Sequence, residues 1–242
     1  MAFIGATPTP IPLTATDIPD LPATKITSGT FPALNGSNLT NLDASDLTGT
    51  LPAISGANLT GITAGGLVHI KTIKQDSSVS AIDFVDGTSG VTLDGTYERY
   101  KFICSRLDLA TAGQRIAVQY FQSGSIVTSG YRWVATGRED SSSDYASQST
   151  SNSDCELTPR NTADGSTEQN GFELNLLNPA DTSKYTAHYG FYGGYGGNAK
   201  TETFIFSGCL ANASAVNGVR FLAESGTNID RMTITLFGIS EG

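Results

Sequence analysis

Residues able to do chemistry are sparse in this chain and poorly placed for it. It has two histidines, His69 and His188, and three cysteines, Cys104, Cys155 and Cys209, among 242 residues. A Ser/His/Asp or Cys/His arrangement would have to recruit one of those histidines, yet neither lies near a GxSxG elbow, so both are read as packing or surface residues. Three scattered cysteines are too few for a stapled scaffold or a paired-Cys metal site and are expected to be buried free thiols. No HxxxH or DxDxDG spacing occurs, and GFYGGYGGNAK (190–200) lacks the GK(S/T) ending of a phosphate loop. No metal and no cofactor are therefore expected. The acids Glu139, Asp140, Asp144, Asp154 and Glu156 could supply the carboxylate pair of a glycosidase. A serine-rich segment is a poor holder of two carboxyls at fixed separation, which leaves a glycan depolymerase as the least favoured reading and a non-enzyme as the expectation.

Binding is better served than catalysis. Tyr189, Tyr192 and Tyr195 are interrupted by Gly193, Gly194, Gly196 and Gly197, a pattern expected to present aromatic faces on a turn at little entropic cost. Asn198 and Lys200 beside them would suit a saccharide; the alternative is a hairpin whose tyrosines pack on a sheet edge. The aperiodic stretch EDSSSDYASQSTSNSD (139–154) reads as a long exposed loop and adds Asp144 and Tyr145 as receptor-binding candidates. Trp133, next to Arg132, reads more readily as a core or interface aromatic than as a ligand platform.

Composition removes several partners. Fourteen Lys plus Arg against 23 Asp plus Glu give a formal charge of −9, which argues against nucleic acid, whose phosphates demand clustered cations. No apolar run approaches the roughly 18 residues of a membrane span, and the proline-broken MAFIGATPTPIP has no basic start, so neither membrane insertion nor a secretory signal is expected. The sequons at Asn35, Asn38, Asn58 and Asn212 are accordingly read as turns.

The chain divides near residue 67. Residues 1–66 contain five charges, two aromatics and no Cys, Trp or Tyr. TPTPIPLTATDIPDLPA within residues 1–25 predicts an extended, polyproline-like strap. In residues 26–66 a 20-residue repeat sets TFPALNGSNLTNL over TLPAISGANLTGI, superposing Pro32 on Pro52, Gly36 on Gly56 and Asn38-Leu39-Thr40 on Asn58-Leu59-Thr60. Recurrent Gly and Pro exclude a helix, and so small a stock of apolar side chains cannot give one copy its own interior. A disordered linker is the alternative, but it has no reason to keep repeated apolar slots. Leu34, Leu39, Leu42, Leu51, Ile54, Leu59 and Ile62 are thus expected to share one axial core with identical chains. Residues 67–242 hold all nine Tyr and nine of eleven Phe, and alternate at ten places from LVHIKTI (67–73) to MTITLFGI (232–239). Period-two patterning bounded by Gly, Asn, Asp and Ser predicts strands, and so many of them predict one antiparallel, jelly-roll-like β-sandwich.

TSGTFPALNGSNLTNL and LTGTLPAISGANLTGI resemble shaft repeats of tail fibres of tailed bacteriophages. LVHIKTIKQDSSVSAIDFVDG, LLNP (176–179), AVNGVRF (215–221) and TITLFGI (233–239) resemble the C-terminal sandwich of the same proteins, although ESGTNID (224–230) carries an extra residue where that family has a tighter turn. The resemblance implies a homotrimeric virion fibre, assembled in the host cytoplasm, with its N-terminus on a tail or baseplate protein and its heads displayed to a host surface glycan or protein. A head-fibre, baseplate or capsid-decoration role without a receptor is the competing implication. Light scattering of the full chain is expected to return the mass of three copies, and Leu39→Asp with Leu59→Asp is expected to lower that mass while the sandwich stays folded.

Overall fold

The computed structural model describes residues 66–111, 113–141, 143–159, 169–196 and 200–240. The strap, the shaft through residue 65 with its seven axis candidates, and Asn198 lie outside the described residues. Among the described residues the chain is built of strands: β1 (Gly66–Gln75), β2 (Ala81–Val85), β3 (Arg99–Leu109), β4 (Ile116–Gln122), β5 (Ser125–Ile126), β6 (Tyr131–Glu139), β7 (Asp144–Asn152), β8 (Cys155–Glu156), β9 (Asn170–Leu177), β10 (Ala187–Gly196), β11 (Lys200–Leu210), β12 (Gly218–Ala223) and β13 (Ile229–Ser240). Each of the ten alternating segments overlaps one of these strands. The ESGTNID segment turns through a short 3-10 stretch at Glu224–Gly226, with Ser225 at a φ of 62°.

All pairings are antiparallel, and the strands form two sheets. The larger runs β1-β13-β3-β9-β10-β11-β6-β7, and the smaller runs β2-β12-β4-β5 with β8 also on β4. The expected antiparallel sandwich is therefore present, with sheets of unequal size.

Aromatic rings join the sheets. Phe221 of β12 meets Phe102 of β3 at 5.2 Å and Phe172 of β9 at 5.4 Å, while Phe84 of β2 meets Phe102 at 5.2 Å. All four rings are buried. Such pairs contribute about 0.5–1.5 kcal/mol each beyond the area they bury. On the far side of the same strand, Arg220 forks both oxygens of Asp83 at 2.8 and 2.7 Å and lies 5.4 Å from the Phe121 ring centre. That pair is partly exposed and is worth about 1 kcal/mol or less.

Three strands escape the sequence reading, and one corrects it. β5 and β8 are two residues long, too short for any periodicity. The segment 139–154, expected as a loop, instead contributes β7, which pairs with β6 from Arg138↔Asp144 to Tyr131↔Asn152. Its Ser, Thr and Gln side chains carry no apolar alternation, because β7 is an edge strand held by its backbone ladder, and polar edges also discourage pairing with foreign strands. Two neighbouring substitutions separate the roles of β12: Phe221→Ala is expected to cost about 3–5 kcal/mol in denaturant unfolding, and Arg220→Ala about 1 kcal/mol or less.

Candidate functional site

The glycine-rich tyrosine segment is not the expected turn. Residues 187–196 form β10, an interior strand between β9 and β11. Glycines here answer close packing: a Cβ on Gly190 would stand 1.9 Å from the Glu173 carbonyl oxygen and 2.5 Å from the Phe206 ring. Strand geometry sends successive side chains to opposite faces, so the candidates separate. Tyr192 points inward, is fully buried, stacks with Phe204 at 5.7 Å and donates its hydroxyl to Asn170 Oδ1 at 2.8 Å. It is thereby removed from the receptor-binding set. Tyr189 and Tyr195 point outward and stay exposed at 44% and 39%.

Of the remaining described candidates, Lys200 is the register partner of Gly196, next to Tyr195, while Asp144 and Tyr145 lie on β7. Tyr145 is half-buried and packs against the core. Asp144 is exposed and pairs with Arg138 at 3.4 Å, and Lys200 reaches Asp140 at 3.8 Å. Of the other acids, Glu156 is buried on Arg115, and Asp154 is half-buried with its carboxyl pushed up by burial. Glu139 turns inward, where Glu202 is its cross-strand partner, and both are buried. Ser141 donates to Glu139, and Asn170 Oδ1 also accepts from the Tyr195 backbone N–H at 2.9 Å. Glu202 was not singled out from the sequence, although the alternation of TETFIFSGCL puts it on the face of Phe204 and Phe206.

What the structure does assemble lies on the outer face of the larger sheet. Phe191 and Ile205 are register partners exposed at 48% and 60%; Tyr189 opposes Ser207, which opposes Val134, itself 46% exposed. Beside this apolar strip is a depression of about 390 Å³ lined by Arg132, Val134, Gln148, Thr150, Ser207 and Cys209. A smaller one of about 120 Å³ continues it between Val134, Thr136, Ile205 and Ser207. A β-bulge shapes the first: Tyr131 pairs with Asn152 and Trp133 with Ser149, so Thr150 and Ser151 both oppose Arg132. Trp133 itself is buried in the core, as its type led one to expect.

Arg132 is electrostatically exceptional. Most described Lys and Arg residues have an ion pair or a side-chain hydrogen bond. Arg132 is exposed and has neither an ion pair nor a side-chain hydrogen bond among the described residues; its charge meets the thiol of Cys209, its register partner. Burial pushes the half-buried Cys209 thiol above its ordinary range, an effect the Arg132 charge partly offsets. Cys104 and Cys155 are buried free thiols, Cys104 being pushed up to about 12 by burial.

Under the floor lies His188. A Cβ on Gly208 would come within 2.7 Å of both His188 Cε1 and Cys155 Sγ, so only glycine lets the floor rest on the imidazole. His188 Nδ1 shares a 2.5 Å hydrogen bond with the Tyr120 hydroxyl, and Nε2 has no partner. The ring is fully buried, and burial lowers its pKa from 6.5 to about 3. The chain matches no family model, and no curated protein or solved structure is significantly similar to it. Its function must therefore be argued from these residues.

The buried imidazole makes one pH dependence explicit. Between 6.5 and about 3 the unfolded chain binds a proton at His188 that the folded chain refuses, so stability falls as pH drops through that window. The slope from this residue approaches about 1.4 kcal/mol per pH unit. Unfolding of wild type and His188→Gln at pH 7, 5.5 and 4.5 is expected to show a smaller acid loss in the variant.

Proposed function

We propose that the chain is a non-catalytic virion fibre: a homotrimer joined through residues 26–66, bound to the particle by its N-terminal strap, and holding a host surface glycan or protein with its sandwich. The observation that carries this reading is the open outer face of β10, β11 and β6. A sandwich buries one face of each sheet, and a second apolar face left exposed beside a shaped depression is the mark of an interaction surface. The sequence contributes the rest, since a repeat-bearing segment with too little interior of its own calls for identical partners, and closed symmetry supplies them. The net charge of −9 helps keep such a fibre off unrelated surfaces.

Decoration of a head or baseplate would use the same face against another virion protein, and adsorption separates the two roles. Purified full-length chain is expected to compete with its virus for host cells, and Phe191→Asp with Ile205→Asp is expected to weaken that competition at least about tenfold, the effect of losing roughly 1.4 kcal/mol of contact. Absence of competition at saturating wild-type chain, with assembly impaired on deletion, would transfer the protein to the decorative role.

A further inference from the structure

We infer that the depression between β6, β7 and β11 is a subsite for a carboxylate-bearing sugar residue, with Arg132 holding the carboxylate and Tyr189 and Val134 supporting the sugar's apolar face. This deepens the adhesin reading and rests on it for its biological role, but the site is defined by its own geometry.

Three independent features converge there. The first is shape: a depression of about 390 Å³ on the outer face of the larger sheet, with a smaller one adjoining it at Val134 and Ser207. The second is charge. In a chain of formal charge −9, Arg132 has no ion pair and no side-chain hydrogen bond among the described residues, and it lines the depression. A guanidinium presents a planar fork of donors that matches a carboxylate two bonds at a time. The third is the lining chemistry. Gln148, Thr150 and Ser207 supply amide and hydroxyl groups, while Tyr189 stands in register beside Ser207 as an exposed ring. Sugars need that combination, because their C–H faces pack on aromatic or aliphatic side chains while their hydroxyls seek polar partners. A nucleic acid would need more cations than this face has. A purely apolar peptide would leave Arg132 unpaired under it.

Cys209 provides a direct readout, since it is a half-buried thiol in the lining whereas Cys104 and Cys155 are buried. The full-length chain is treated with N-ethylmaleimide at mildly alkaline pH, alone or with tetragalacturonate or an α2,8-linked N-acetylneuraminic acid trimer, and labelling is followed by mass spectrometry. Cys209 is expected to label in the native chain, and at least one of the two acidic saccharides to slow it severalfold. The methyl ester of the protecting saccharide is expected to protect about tenfold less well, the worth of one lost charge-assisted contact. Arg132→Gln is expected to remove the preference for acid over ester, Arg132→Lys to restore part of it, and Tyr189→Ala to weaken both. Equal protection by acid and ester, protection by neither saccharide, or equal protection by inorganic phosphate would overturn the subsite. So would a Cys209 that labels only after denaturation, because the face would then be covered by another copy of the chain. The adhesin reading fails separately: saccharide protection without competition for host cells removes that reading and leaves the subsite, and the converse leaves the reading and removes the subsite.

Discussion

Contact between Phe221 on the smaller sheet and Phe102 and Phe172 on the larger is the constraint from which the rest follows. It decides which face of β3 and β9 is interior, and pleating then carries that choice from strand to strand. Through the cross-strand register, Phe172 inside requires Tyr192 inside, and Tyr192 inside requires Phe204 inside. The residues between them, Phe191 and Ile205, have no alternative but solvent. The outer apolar strip is thus produced by the core, since a one-residue slip of β10 or β11 would exchange the two sets. A surface made this way is rigid, because moving it would unpack the rings beneath it.

The same register distributes charge. Most cations are matched on their own sheet: Lys101 with Glu173 across β3 and β9, Arg138 with Asp144 across β6 and β7, and Arg106 with Arg231 on the buried Asp108. Arg132 misses such a partner because the β7 residues around it, Ser149, Thr150, Ser151 and Asn152, are all uncharged, and the bulge sets two of them opposite it. The bulge shapes the depression, and the uncharged strand beside it leaves its cation without an ion pair. Below it, Gly208 admits His188 to the floor, and His188 is held neutral by burial, so no second positive charge competes with Arg132 from beneath.

Fold class was legible because both faces of most strands announce themselves: in TETFIFSGCL, Phe204 and Phe206 alternate with Thr203 and Ser207, and burial follows that pattern. β7 was illegible because DYASQSTSN has no apolar period to read, its order coming from a ladder that propensity does not encode. The tyrosine segment misled for the opposite reason. Its glycines look like turn residues, but the demand for glycine at position 190 comes from Glu173 and Phe206, which lie far away in sequence. One member of the candidate site was nevertheless in view, since Tyr189 belonged to the suspected aromatic set. Arg132, Gln148 and Ser207 were not, for a depression built across four strands is a property of register, and register between distant strands cannot be read from either strand alone.

Shallowness of the depression bears on how such a protein would hold a cell. A single open subsite buries little of a sugar, and the entropy of association consumes much of what it gains, so one sandwich would bind weakly. Rigidity of the sheet face and repetition of the chain answer that weakness in different ways. The first removes the cost of ordering a loop on binding. On the trimeric reading, the second presents three identical subsites on one stalk, so that each engagement after the first is intramolecular and residence grows without any new contact. A flexible loop with high intrinsic affinity would solve the same problem for a monomer. On that same reading, the placement of Tyr189, Phe191 and Ile205 on interior strands of a packed sandwich suits a chain whose N-terminal residues assemble copies of itself.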